Sequence, residues 1–450
     1  MSDVGGSLGR AGVATSLSGT PFTWLEFAER GALKDPTQAG ALNALLIQGV
    51  TDLVVMSHGW KNTKEDAQAL YGELWSNVRP LLAAQQAHPA GDFVVAGVQW
   101  PALEYRTNFD SPATDDGTTQ PLPDPVGSDG DLSPQAFQTV VGDAAELAGP
   151  AGPAVDSAAT AAADDPGQDQ AAALLRTLAA AFPARITNAD PELAAMRDPL
   201  VENDPRELVL DLTAPPPMTV SRGVAAAQGL GSLIGHALSG PRAAIGRLLN
   251  QFTYYEMKAR AGDIGAALGA RTLSTLTPAG AVRLHLIGHS FGARLLTSAV
   301  ASFAAPSLVE LRSLTLLQAA FSQNAFSANF GGGQPGAFAR VMQNKVGGPI
   351  TATHTHNDSA CTLAYALASR LVRDNAEAIG DASDPFGAIG ANGILHLLPA
   401  QVVFATMSVG GTYAFTPGEA HNFLADACIT GHNDVRNPQV GRLVAAALLA

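Results

Sequence analysis

Asp52–Ser57 reads DLVVMS, Phe93–Trp100 reads FVVAGVQW and Val282–Gly288 reads VRLHLIG. Each run is rich in branched apolar residues, and each is too short for a core helix. In the first two the apolar residues are consecutive, so such a strand must be covered on both faces. That is the condition of a parallel sheet held between helical layers. Leu314–Leu317 gives a fourth run, Gly348–Thr353 a weaker fifth, and Phe423–Thr430 a later one. Helical patterns fall between them at about 64–86, 253–268, 293–303, 360–373 and 440–450. The alternation predicts an α/β protein with a mostly parallel central sheet and helices on both faces.

One stretch breaks the rhythm. Between residues 107 and 240 the chain turns rich in Asp, Ala, Pro and Gly, with acidic runs such as TDDG, DPVGSDGDL and ADDPGQDQ. Loops this long are uncommon inside a compact domain. The stretch is therefore expected to be an insertion, with helices near 135–147 and 171–181, and residues 1–106 and 241–450 form the core. Gly223–Gly240 (GVAAAQGLGSLIGHALSG) is expected to be a buried helix of that insertion. Its glycines weaken any free-standing amphipathic helix.

The bulk numbers narrow the function classes. With 450 residues and 46% hydrophobic content, the chain can fill a sizeable core. A net charge of -14 with scattered arginines excludes a general nucleic-acid binder, which needs basic patches. Cys361 and Cys428 belong to no C-x-x-C pair and read as two reduced, buried thiols. No secretory signal and no apolar run of spanning length is visible, so a soluble cytoplasmic protein is expected. No cofactor is implied.

The chemistry centres on Gly288-His289-Ser290-Phe291-Gly292, which follows the strand VRLHLIG and precedes the helical ARLLTSAVASF. Glycines on both sides of a serine permit a turn too tight for larger side chains. Such a turn presents the hydroxyl at the carboxyl end of a strand, over a helix N-terminus. A serine hydroxyl attacks only if a base takes its proton and donors hold the oxyanion. Ser57-His58-Gly59-Trp60 closes an earlier strand. Asp358 follows the strand-like GPITATHTH, with Asp384 as an alternative acid. His432 follows FLADACIT in the loop before the terminal helix, with His421 as an alternative base.

These motifs resemble the α/β-hydrolase superfamily, and within it the serine esterases and lipase-like enzymes. The resemblance covers residues 52–100 and about 253–450, and it lies outside the acidic insertion. It implies a chain order of Ser, acid, His, which Ser290, Asp358 and His432 satisfy. By the same resemblance the oxyanion donors are the backbone amides of Phe291 and of Gly59 or Trp60. The chain has HGW where many members carry an HGGG-type run. A small or lipid-like neutral ester is the implied substrate and the insertion the implied lid. Acyl transfer, thioester or amide cleavage would use the same residues.

A second pattern competes. His354-Thr355-His356-Asn357-Asp358 looks like the first metal motif of metallo-β-lactamase-type hydrolases, and GHSFG looks like their later Gly-His element. On that reading His354, His356, Asp358, His289 and His432 would bind zinc and activate water. The order of the two elements is reversed here, and Ser359 stands where the motif has its final histidine. A binding module that keeps the fold without chemistry is the third class.

Overall fold

The computed structural model describes residues 15–60, 62–84, 93–102, 127–165, 167–181, 204–213, 238–330, 333, 335–342, 346–358, 360–361 and 387–450. Its first elements are β1 (Thr15–Leu17), β2 (Thr20–Glu26), α1 (Thr37–Leu46), β3 (Asp52–Ser57), α2 (Lys64–Ala84) and β4 (Phe93–Gln99). Then come α3 (Pro134–Ala148), α4 (Gly152–Asp164), α5 (Gln168–Ala181), α6 (Pro205–Asp211) and α7 (Pro241–Ala267). β5 (Val282–His289), α8 (Phe291–Ser302), β6 (Val309–Leu317) and β7 (Ile350–His354) follow. The chain closes with α9 (Ile389–Asn392), β8 (Val402–Thr406), β9 (Ala420–Leu424) and α10 (Pro438–Leu449).

The nine strands make one sheet in the order β1-β2-β4-β3-β5-β6-β7-β9-β8. β1 runs antiparallel to β2, and every other neighbouring pair is parallel. Period-two geometry sends alternate residues of one strand to opposite faces. Leu53 and Val55 of β3 enter a core with α1, α7 and α8, whereas Val54 and Met56 enter a second core with α2 and α10. All six β3 residues are buried, as a strand covered on both faces requires. This is a mixed α/β protein with a mostly parallel central sheet.

From β3 the chain crosses to β4 on one side, then returns past β3 to β5 on the other. The strand order therefore reverses between β3 and β5. In open α/β sheets such a reversal leaves a crevice beyond the carboxyl ends of the strands. The motifs at Ser57–Trp60 and Gly288–Gly292 both lie at the carboxyl ends of β3 and β5, where the order reverses.

Several details depart from the sequence reading. β9 begins at Ala420 and stops at Leu424, because the chain turns at Ala425, whose carbonyl accepts from the Cys428 and Ile429 N–H groups. α7 starts at Pro241 rather than near 253. β1, β2 and β8 were not anticipated. Of residues 107–240, α3 to α6 are described, and buried residues of α3, α4 and α5 share the core of α7. Arg247 of α7 donates to the carbonyls of Leu212 and Leu238 at 2.8 and 2.7 Å, tying both chain segments to that helix. Most of the expected helix at 223–240 and most of that at 360–373 lie outside the described residues, and Leu238–Gly240 are not helical. Among the described residues no helix is long and apolar enough to cross a membrane.

The amino end of the sheet carries a buried polar chain. Arg283 grips both carboxylate oxygens of Asp52 at 2.8 and 2.7 Å. His285 Nε2 meets Asp52 at 3.0 Å and its Nδ1 meets Ser313 Oγ at 2.8 Å. A register shift between Leu284 and His285 sets Ser313 opposite His285. Burial works to raise the Asp52 carboxyl, but hydrogen bonds from His285, Arg283 and Thr51 outweigh it and hold it at about 2. A carboxyl lowered by folding stabilises the fold above its unfolded pKa of roughly 4, and that contribution is lost as pH falls through the folded value. The urea midpoint of the wild type is expected to fall more steeply below pH ~4 than that of Asp52→Asn. Asp52→Ala, which leaves His285 and Arg283 without their anion, is expected to cost about 3 kcal/mol at neutral pH by chemical denaturation.

Candidate active site

Ser290 joins β5 to α8 with φ 56° and ψ −124°, a left-handed backbone conformation rare for a residue with a side chain. Such a residue stores about 1–3 kcal/mol of strain and persists only where its surroundings fix it. Here its N–H donates to the Leu317 carbonyl at 3.1 Å, and its own carbonyl accepts from Ala293 and Ala320 at 3.1 and 3.3 Å. The flanking glycines are required by contact. A Cβ on Gly288 would collide with the Ala293 backbone, and one on Gly292 with the carbonyl oxygens of Ser57 and His58. A Cβ on Gly59 would lie 2.6 Å from Ser290 Cβ and 3.1 Å from its Oγ. The β3 exit and the serine turn are thus in direct contact.

His432, in the loop between β9 and α10, places Nε2 2.9 Å from Ser290 Oγ and Nδ1 2.8 Å from Asp358 Oδ2. Asp358 is fully buried. Its Oδ2 also accepts from Gln318 Nε2 at 2.9 Å, and its Oδ1 from the Cys361 N–H at 2.9 Å. Burial acts to raise its pKa, yet the facing His432 and these donors outweigh that and lower it. Asp358 is therefore an anion at neutral pH. An ionised partner accepts only, so Nδ1 carries the imidazole proton and Nε2 presents a lone pair to the serine hydroxyl.

The neighbourhood of the turn is organised by aromatic packing. Trp60 and Tyr254 pack on Phe291 with ring centroids 5.8 and 5.0 Å apart, linking the β3 loop, α7 and α8. His58 stacks on Trp100 at 5.6 Å, and its Nδ1 donates to the Gly59 carbonyl at 2.8 Å. Burial depresses the His58 pKa to about 4, which keeps this ring neutral. Phe291 opens α8, where the first N–H groups of a helix have no intrahelical acceptor.

Ser290, Asp358 and His432 thus come together, although 142 and 74 residues separate His432 from the other two. Gly59 touches Ser290, and Trp60 packs on Phe291. His421 stays away from this group, bonded instead to Thr416 at 3.0 Å. Asp384 lies outside the described residues. His354, His356 and Asp358 do not converge. His356 Nδ1 pairs with Asp426 Oδ2 at 2.8 Å, while Asp426 Oδ1 receives Thr355 Oγ1 at 2.7 Å. The His-Thr-His run is a clasp between the β7 and β9 exit loops. Among the described residues, the group whose ligand atoms all lie within 4.8 Å of one another is Asp358, Cys361 and His432.

Sequence reasoning missed several supporting groups. Gln318 has a φ of 45° and bridges Asp358 to the Gly390 carbonyl. His289 Nε2 donates to the His432 carbonyl at 2.9 Å and holds the loop that carries the imidazole. Burial, reinforced by the charge of His432, lowers the His289 pKa to about 3, so this ring stays neutral. The sequence offered His289 only as a zinc ligand, not as a tether of the His432 loop, and nothing marked Gln318.

Compared with protein-family models, with curated proteins and with solved structures, the chain matches none. Gly292→Ala is expected to destabilise the fold by about 1–3 kcal/mol in a denaturant titration, because its methyl group meets backbone carbonyls rather than a movable side chain.

Proposed function

We propose that the chain is a serine hydrolase of the α/β-hydrolase type, cleaving carboxylic esters through an acyl-enzyme. The observation that carries this reading is the continuous hydrogen-bonded line Ser290–His432–Asp358 at a strained strand-to-helix turn. In this mechanism His432 Nε2 takes the Ser290 proton as Oγ attacks the ester carbonyl, then returns that proton to the departing alcohol. Asp358 keeps the proton of Nδ1 in place and stabilises the imidazolium that forms. Water attacks the acyl-enzyme in the second half-reaction, with His432 again as the base.

The Phe291 N–H is the first oxyanion donor in this proposal. The second is assigned to Trp60 rather than Gly59. In a trans peptide the carbonyl and the following N–H point in opposite directions. His58 Nδ1 draws the Gly59 carbonyl toward itself, so the Trp60 N–H of the same peptide points away from that ring. The acidic insertion between β4 and α7 is assigned the role of a cover over the carboxyl edge, favouring neutral over anionic esters.

The test is turnover of nitrophenyl esters of increasing acyl length. Wild type is expected to turn over at least one of them. Ser290→Ala and His432→Ala are expected to lower kcat/KM by roughly 10⁴-fold or more, and Asp358→Asn by roughly 10³–10⁴-fold. Prior chelation is expected to leave wild-type turnover unchanged. Turnover that survives Ser290→Ala, or that vanishes with chelator and returns with zinc, would overturn the proposal.

A further inference from the structure

Cys361 serves the site above only through its N–H to Asp358, yet its thiol also stands next to it. Cys361 Sγ lies 3.8 Å from His432 Nδ1, on the Asp358 side of the imidazole. Asp358, Cys361 and His432 each offer one ligand atom, and all of these lie within 4.8 Å of one another. Asp358 and Cys361 are buried, while the His432 side chain is 15% exposed and gives the cluster an edge toward solvent. A carboxylate, an imidazole and a thiolate are the three ligand types of tetrahedral zinc, at about 2.0–2.3 Å from the ion.

We infer that Asp358, Cys361 and His432 form a binding site for a thiophilic divalent cation, whose occupation switches the serine site off. The site itself stands on the geometry of the three side chains. Its inhibitory consequence rests on the proposed roles of Ser290 and His432.

The switch follows from proton bookkeeping. In the metal-free chain Nδ1 carries the proton and Nε2 faces Ser290 with a lone pair. A metal bound at Nδ1 needs the lone pair there, so the neutral ring must carry its proton on Nε2. Nε2 then donates toward Ser290 Oγ and can no longer accept its proton. The Asp358–His432 hydrogen bond is replaced by two metal–ligand bonds, and the Cys361 thiol releases one proton to water. No oxidant or reductant is involved. Burial and the nearby Asp358 charge push the Cys361 thiol pKa well up. Only a cation with high thiolate affinity can displace that proton, which selects zinc or cadmium over magnesium or calcium.

Cadmium chloride serves as the probe, in two readouts on the full-length chain. The first is the ultraviolet thiolate-to-cadmium absorption. In Cys428→Ser, which removes the other thiol, it is expected to rise and saturate at one equivalent. In Cys361→Ser and Cys361→Ala it is expected to disappear from this site. The second readout is the rate of fluorophosphonate labelling. Cadmium is expected to slow wild-type labelling at least about tenfold, reversibly on chelation, with no effect of magnesium. Relative to its own metal-free labelling rate, Cys361→Ser is expected to need at least about tenfold more cadmium for the same fractional slowing. Absence of cadmium absorption in folded Cys428→Ser would overturn the inference, as would equal cadmium sensitivity of wild type and both Cys361 variants. A chain that never labels, with or without metal, would instead count against the serine hydrolase reading, and the absorption titration would still decide the site.

Discussion

The arrangement depends on the close approach of the first turn of α8 to the carboxyl end of β3. Gly292 lies against the Ser57 and His58 carbonyls, and Gly59 lies against Ser290. Any side chain at these glycines would hold the two segments apart. Because they meet, the Ser290 hydroxyl stands at the carboxyl ends of β3 and β5, where the strand order reverses. The strain at Ser290 is carried by the surrounding backbone bonds to Leu317, Ala293 and Ala320.

Two Asp–His–Ser chains run through the sheet, and they differ in position and surroundings. Asp52–His285–Ser313 sits at the amino end, and all three side chains are fully buried. Its carboxylate is already paired with Arg283, and burial keeps His285 from charging despite Asp52 beside it. Ser313 lies within β6, with no helix start beneath it. Asp358–His432–Ser290 lies at the carboxyl end, where the imidazole reaches solvent and the carboxylate is bonded to neutral donors besides the imidazole. An imidazole flanked by a carboxylate and open to solvent gains from becoming charged, which is what a base must do in a transition state. Residue type alone does not distinguish the two chains. Position in the sheet and exposure of the imidazole do.

The central strands were legible because DLVVMS and FVVAGVQW have no polar face and must lie between two layers. The serine turn was legible because glycine at 288 and 292 answers a packing demand that no other residue meets. The sheet edges were not. Thr20–Glu26 carries Pro21 and a charged end, which reads as a turn until β4 supplies its partner. Val402–Thr406 has strand composition, but it joins β9 through an irregular loop where a parallel connection normally holds a helix. It is an edge strand with Val403 and Phe404 exposed, so the pattern of burial that marks the inner strands is missing. The His-Thr-His run misled for a different reason. Spacing suggests shared ligation, whereas Asp426 captures His356 from a distant loop. Gln318 acts on Asp358 through its side-chain amide and His289 tethers the His432 loop, which no spacing encodes.

The central claim is that Ser290 is a nucleophile made reactive by His432 and Asp358. Its most direct measurement is intact-mass analysis after reaction with an excess of a fluorophosphonate, followed by peptide mapping. The expected result is a single adduct per chain, carried by the peptide that contains Ser290 and lost in His432→Ala. An unmodified wild-type chain, or an adduct on any residue other than Ser290, would contradict it.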